Sequence, residues 1–201
     1  MPTALVTGGA IRLGRSVALH LAGRGYNIAL QYCSSRESAE QTAKEARNFD
    51  VQCKTYCADF TDFNSAPLLM GQVLADFNSM DLLVNSAANF IQKKIEETSN
   101  SELLDTININ LMAPFILMRE FKKKVNNGLI INILDERILR RVSTFGAYSV
   151  SKSALAHLTE LSAVSWGETV RVNGIAPGLI LPPVESSGEY LLEKAPNIPT
   201  K

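Results

Sequence analysis

Short apolar runs and amphipathic stretches alternate along the chain. The apolar runs fall at 4–7, 27–32, 51–56, 82–85, 129–133 and 171–175, each the length of a strand. Between them lie stretches with helical spacing, at 13–24, 35–48, 64–77, 99–124 and 147–166. In the first of these, Leu13, Val17 and Leu21 recur every four residues and share one face. This alternation predicts an α/β fold, a doubly wound parallel sheet of the Rossmann type. Ligands of such sheets bind beyond the carboxyl ends of the strands. No internal repeat, low-complexity segment or linker interrupts the pattern, so 1–201 reads as one domain.

Composition adds mainly exclusions. Hydrophobic residues make up 46% of the chain, enough for a sizeable core. The 20 basic residues are matched by 20 acidic ones, so no net field draws in nucleic acid or an anionic membrane. The run Lys122-Lys123-Lys124 reads as the solvated end of a helix. Met1-Pro2-Thr3 leads directly into the first strand and leaves no room for a signal peptide. The apolar runs are far short of a membrane span, and a cytoplasmic location is expected. Cys33, Cys53 and Cys57 are odd in number and lack ligand-like spacing, and His20 and His157 are the only histidines. Reduced structural thiols are expected, and no metal site.

Two local patterns carry chemistry. The first strand runs into Thr7-Gly8-Gly9-Ala10-Ile11-Arg12-Leu13-Gly14, and a helix follows. Glycines permit a tight turn, and a helix N-terminus offers N–H groups to a phosphate, which suits a dinucleotide. The second pattern is Tyr148 and Lys152, four apart and on one helical face. An ammonium beside a phenol draws the phenol pKa down from about 10. A tyrosine tuned in this way trades protons with a carbonyl or imine near neutral pH.

Together these residues resemble the short-chain dehydrogenase/reductase family. Its Thr-Gly-x-x-x-Gly-x-Gly is matched by Thr7 to Gly14, with Arg12 in place of the middle glycine, and its Asn-Asn-Ala-Gly by Asn85-Ser86-Ala87-Ala88. Its helix Asn corresponds to Asn110, its Tyr-x-x-x-Lys to Tyr148 and Lys152, and its Asn-x-x-x-Pro-Gly to Asn173-Gly174-Ile175-Ala176-Pro177-Gly178. The resemblance implies a proton relay through Tyr148, Lys152 and a water held by the Asn110 backbone. It also implies a homodimer or homotetramer built on helices 99–124 and 147–166. Family members usually continue with another helix and a seventh strand. This sequence stops at Pro199-Thr200-Lys201, which reads as a naturally short form or, preferably, a truncated one that leaves the sixth strand exposed.

The cofactor expected is NADP(H). An NAD enzyme of this architecture carries an acidic residue at the end of the second strand. Here that end reads Tyr32-Cys33-Ser34-Ser35-Arg36, with no carboxylate before Glu37. Two hydroxyls and a guanidinium suit a 2′-phosphate, although Ser34 and Ser35 also suit a helix cap. Asp59 matches the position that contacts adenine, and is equally a turn residue before the third helix. The resemblance places further cofactor contacts at Gly8, Arg12, Leu13, Gly14, Asn85, Ala87, Pro177, Gly178 and Ile180. Pro182 stands where the family often has a cofactor-binding Thr.

The substrate is hinted at by a substitution. The family usually carries a Ser thirteen residues before the Tyr, and that position is Asp135 here. A carboxylate accepts hydrogen bonds, relays protons and opposes the effect of Lys152 on Tyr148, keeping the phenol protonated. It suits a substrate presenting amino or ring-nitrogen groups. The alternative is an Asp that merely ends a strand, with Glu136 or neither residue doing chemistry. The swap, with Arg12 and Phe90, resembles the pteridine reductase branch, which includes dihydromonapterin reductases. That branch stacks an aromatic at the position of Phe90 on the pterin. The reading expected is an NADPH-dependent reductase of a pterin-like heterocycle. A carbonyl reductase, such as one acting on 3-oxoacyl thioesters, is the nearest alternative, and a non-catalytic NADP-binding regulator the other. The loop at 182–193 is expected to decide the substrate.

Overall fold

The computed structural model describes residues 1–139, 142–182, 189–194 and 196. Alternate residues of a strand face opposite sides of a sheet, and the strand register turns that rule into two cores. The strands are β1 (Thr3–Val6), β2 (Asn27–Tyr32), β3 (Cys53–Cys57), β4 (Leu82–Asn85), β5 (Gly128–Ile133) and β6 (Val170–Ile175). All pair in parallel, in the order β3-β2-β1-β4-β5-β6. Leu5 pairs with Ala29 and Leu83, Leu83 with Ile130, and Ile130 with Val172. That row lies in one cluster with Leu69, Leu117 and Phe121. One residue on, Val6 pairs with Leu30 and Val84, and this row lies in a second cluster with Ala18, Ala39 and Ala43.

Helices α1 (Arg12–Ala22) and α2 (Arg36–Arg47) cover the second cluster. Their buried positions are small: Ala18 and Ala22 on α1, and Ala39, Ala43 and Ala46 on α2. Alanine at helical spacing lets both helices lie close to the sheet. Helices α3 (Ser65–Asp76), α5 (Ala113–Lys124) and α6 (Gly146–Trp166) contribute to the first cluster. Helix α4 (Asn100–Ile107) starts at a capping box, in which Ser99 Oγ accepts from the Glu102 N–H and Glu102 accepts from the Ser99 N–H. A further short helix, α7, spans Tyr190–Lys194.

The doubly wound architecture expected from the alternation is the one observed. The stretch at 99–124 differs in one respect. It continues from α4 into α5 through a π-helical segment, Asn108–Met112. Lys122–Lys124 do form the last turn of α5, where cations oppose the partial negative charge of the helix end. Among the described residues no cluster could hold a metal ion, and no helix is long and apolar enough to cross a membrane. Strand β6 lies at one edge of the sheet. Beside it Ile131, Ile133 and Ile175 line an apolar groove of about 330 Å³ together with Val17 and Leu21 of α1.

The strand order reverses direction between β1 and β4, which opens a crevice at their carboxyl ends. The glycine turn and the segment after β4 flank that crevice. The ends of β5 and β6 lie beside it.

Candidate active site

Helix α6 places Tyr148 and Lys152 one turn apart, and both are buried. The Tyr148 hydroxyl donates to Asp135 Oδ2 at 2.8 Å. Lys152 Nζ donates to the backbone carbonyl of Ile133, the last residue of β5, at 2.7 Å, and lies 5.9 Å from the Tyr148 ring centroid. The ends of β5 and α6 thus bring together a phenol, an ammonium and a carboxylate.

Asn110 joins this group from the π segment. A π turn widens the helix locally and is often found at functional sites. Asn110 is fully buried. Its Oδ1 accepts from the Asn89 N–H at 2.9 Å, and its Nδ2 donates to the Asn89 carbonyl at 3.1 Å and to Ser151 Oγ at 3.1 Å. One amide therefore ties α6 to the segment after β4. Phe90, next along that segment, lies edge-on to Tyr148 with centroids 4.7 Å apart. The residue as a whole is 54% exposed. Among the described residues Asn89 Oδ1 and Ser149 Oγ are buried without a partner.

The electrostatics correct one expectation. The Tyr148 pKa is raised, chiefly by burial and then by the Asp135 charge and hydrogen bond, with Arg137 opposing. The expected downward pull of Lys152 is not seen: its ammonium is directed to the Ile133 carbonyl, and the downward influence on Tyr148 comes from Arg137. The phenol remains protonated, as the effect of Asp135 suggested. Burial lowers the Lys152 pKa to about 8, although the Asp135 charge opposes the shift.

A measurable consequence follows for Lys152. In NMR spectra with ¹³C-labelled lysine, one ε-methylene resonance should titrate near pH 8 and vanish in Lys152→Met; a titration near 10.5 would contradict it. The sign for stability is fixed by the same shift. The unfolded chain keeps this proton up to about 10.5 and the folded chain only to about 8. The contribution is complete above 10.5 and is lost as pH falls through 8. Cys53, whose thiol burial raises from 9.0 to about 11, acts oppositely. The Lys152 slope therefore stands clear between about 8 and 9.

The glycine turn supplies the other half of the crevice. Gly8 has φ of 63°, and a Cβ there would lie 2.9 Å from Ala87 Cα. A Cβ on Gly14 would lie 2.1 Å from the Gly8 carbonyl oxygen. Only hydrogen fits at either place, so the start of α1 presses directly on the turn. The Gly8 N–H donates to Gln31 Oε1 at 2.8 Å. Thr7 Oγ1 accepts from the Ser86 and Ala87 N–H groups at 3.0 Å each. This cradle of backbone and small side chains fits a dinucleotide. Leu13 is half-buried behind it. Asn85 is buried, with its Oδ1 unpartnered among the described residues.

Arg12 departs from the family's glycine, yet its backbone keeps the left-handed conformation, with φ of 52°. Its guanidinium donates to the Pro182 carbonyl at 2.7 Å, joining the turn to the chain beyond β6. At the end of β2, Ser35 occupies the N-cap position of α2 but makes no capping bond through its side chain. Ser34 and Arg36 are exposed beside it. Asp59 forms the turn that was its alternative reading, accepting from the Thr61 N–H and Oγ1 at 2.9 Å each. Pro177 accepts from the Glu136 N–H at 3.1 Å. Gly178 has open space where a side chain would be, and Ile180 is exposed. Residues 183–188 of the loop expected to decide the substrate lie outside the described residues.

Asp135 adopts the strand-end turn that was its alternative reading. It caps a 3₁₀ turn, Glu136–Ile138, by accepting from the Arg137 N–H, and it also holds the Tyr148 hydroxyl. Sequence reasoning missed Arg137, which pairs with Asp135 at 3.1 Å, and Phe145, 4.8 Å from Phe90. The only sequence signal for Arg137 was a cation two residues beyond an Asp at a strand end. It missed Gln31, Asn89 and Ser151 as well, which no spacing rule marks.

Comparison with known proteins finds matches over most of the chain. A family model described as short chain dehydrogenase matches residues 2–189. An uncharacterized oxidoreductase, YhxC, of Bacillus subtilis (strain 168) is 31% identical over 90% of this chain and 65% of its own length. The 3-oxoacyl-[acyl-carrier-protein] reductase FabG of Staphylococcus aureus (strain Mu50 / ATCC 700699) is 30% identical over 89% of this chain and 74% of its own. The chain thus spans roughly two thirds to three quarters of these relatives. Among solved structures, NAD+-bound xylitol dehydrogenase superposes with a TM-score of 0.83 at 28% identity, covering 90% of this chain and 72% of that one. A blue fluorescent protein from a metagenomic library, in complex with NADPH, superposes with a TM-score of 0.86 at 28% identity, covering 93% and 79%.

Proposed function

This chain belongs to the short-chain dehydrogenase family, and from that premise we propose that it is an NADPH-dependent reductase of a pterin-like heterocycle. One observation carries the substrate reading. A carboxylate, Asp135, stands 2.8 Å from the proton-donating hydroxyl of Tyr148, with the ring of Phe90, a residue 54% exposed, beside it. An ionised carboxylate offers acceptors to amino and ring N–H groups and gives a simple ketone no donor.

NADPH supplies the hydride when bound. Gly8, Arg12, Leu13, Gly14, Asn85 and Ala87 would contact the dinucleotide, and Ser34, Ser35 and Arg36 its 2′-phosphate. Tyr148 donates the proton, since its hydroxyl stays protonated at neutral pH. The charge left on the phenolate is stabilised by Lys152, whose pKa of about 8 lets it restore the proton near neutrality. Asn110 fixes the π segment, α6 and Asn89 relative to one another. Apolar residues exposed on α4, α5 and α6, among them Leu104, Phe115, Leu161 and Val164, support self-association into a homodimer or homotetramer.

The similarity to FabG of Staphylococcus aureus favours a second reading, reduction of a 3-oxoacyl thioester. A turnover panel separates the two. NADPH oxidation should be fast with a 7,8-dihydropterin and slow with an acetoacetyl thioester and a small ketone; the reverse order would select the second reading. The same panel tests the cofactor. NADPH should support a higher kcat/KM than NADH, and Arg36→Ala should raise the KM for NADPH about tenfold, as expected for one charge-assisted hydrogen-bond partner. Equal use of both cofactors by the unaltered protein would overturn that preference.

A further inference from the structure

Arg137 makes a set of contacts that the proposed chemistry does not use. Its Nη1 lies 3.2 Å from Asp135 Oδ1 and 3.1 Å from Oδ2. Its guanidinium carbon lies 5.4 Å from the Phe90 centroid and 4.7 Å from that of Phe145. A planar array of N–H donors therefore rests against two aromatic rings and on the carboxylate that holds Tyr148. A flat ring with an amidine-like edge would use those same partners, with its N–H groups on Asp135 and its face on Phe90.

We propose that Arg137 is an internal ligand of the substrate slot: its guanidinium holds the place of the substrate's amidine-like edge, and the substrate must displace it to reach Tyr148. This inference rests on the reading of the substrate as a pterin-like heterocycle. It assigns Arg137 a part in specificity. The Asp135 side chain is only 13% exposed, so releasing the guanidinium removes its charged partner and leaves it the Arg137 N–H and the Tyr148 hydroxyl, a loss made good only by a newcomer with donors of its own. A heterocycle with paired N–H groups meets that demand. A ketone brings none, so Arg137 stays in place and the ketone is excluded.

Methylguanidine is the probe, because its binding does not depend on turnover. Arg137→Met should bind methylguanidine at least tenfold more tightly than the unaltered protein, by calorimetry or NMR titration. Asp135→Asn added to that variant should abolish the gain. Arg137→Met should also lower the KM for a 7,8-dihydropterin at similar kcat, without lowering that for a ketone to the same degree. A folded Arg137→Met, judged by its melting temperature, that binds methylguanidine no better would overturn the proposal. So would a raised KM for the dihydropterin, which would make Arg137 a donor to the substrate. If Arg137→Met does not fold, the unaltered protein decides: saturating methylguanidine should shift the Arg137 Nε resonance, and no shift overturns the proposal. Methylguanidine binding without any dihydropterin turnover would sink the pterin reading and leave the Arg137–Asp135 exchange standing.

Discussion

Tyr148→Phe should lose about 10²–10⁴-fold in kcat, the usual worth of a positioned general acid, while binding NADPH as the unaltered protein does. The substitution keeps the ring, and with it the edge-on contact to Phe90 and the burial of the α6 face. It removes only the hydroxyl hydrogen-bonded to Asp135. No backbone bond of α6 depends on that hydroxyl, so the variant should fold and take up cofactor. Single-turnover kinetics with the dihydropterin, beside fluorescence titration with NADPH, would check both halves. Turnover close to that of the unaltered protein would mean that the acid lies elsewhere, with Asp135 the first suspect, since it is the titratable group nearest the phenol.

The second large effect is expected from Asp135→Ser, in its influence on substrate choice. Serine restores the residue usual in the family and keeps a side-chain oxygen able to cap the 3₁₀ turn at Glu136–Ile138. The fold should therefore survive. The charged acceptor for substrate N–H groups is lost, together with a proton route from Tyr148. The kcat/KM for a dihydropterin should fall about 10²–10³-fold, combining a charge-assisted bond with part of the acid–base contribution. The kcat/KM for a small ketone should hold or rise, because a neutral donor now faces its carbonyl. Phe90→Ala provides the contrast. Stacking acts on ground and transition states alike, so that change should raise KM more than it lowers kcat. Selectivity unchanged in both variants would leave a reductase of other substrates.

The alternation of apolar runs was enough to place all six strands, but on α1 the expected stripe of Leu13, Val17 and Leu21 is only half-buried and the fully buried face is Gly14, Ala18 and Ala22. Gly8 and Gly14 were legible because steric demand at a turn admits one residue type. Tyr148 and Lys152 were legible through helical spacing. What escaped shares a physical cause. Arg137 acts on Phe90 and Phe145 through contacts that only the folded chain creates. Its nearness in sequence to Asp135 says nothing about ring faces. The π segment at Asn108–Met112 has no compositional signature, and the bonds of its Asn110 reach Asn89 and Ser151 on separate elements. The effect of Asp135 on Tyr148 was legible, but the larger upward influence was not, because a sequence displays charges but hides desolvation. Arg12 was seen to replace a glycine, yet the left-handed backbone it retains was not.

The alternating rows of the sheet have an evolutionary consequence. The glycine turn and the end of β2 belong to the layer of α1 and α2, whereas Asn110 and Tyr148 belong to helices on the opposite layer. Leu5 and Val6 are neighbours in the chain but pack into different cores. A substitution on one side is thus partitioned from the other by the sheet itself, and the two halves meet only at the strand ends. On the assignments proposed above, drift around Ser34-Ser35-Arg36 would retune the choice of coenzyme, and drift around Phe90 and Arg137 the choice of the molecule reduced. Lineages built on this scaffold can explore one property while keeping the other intact.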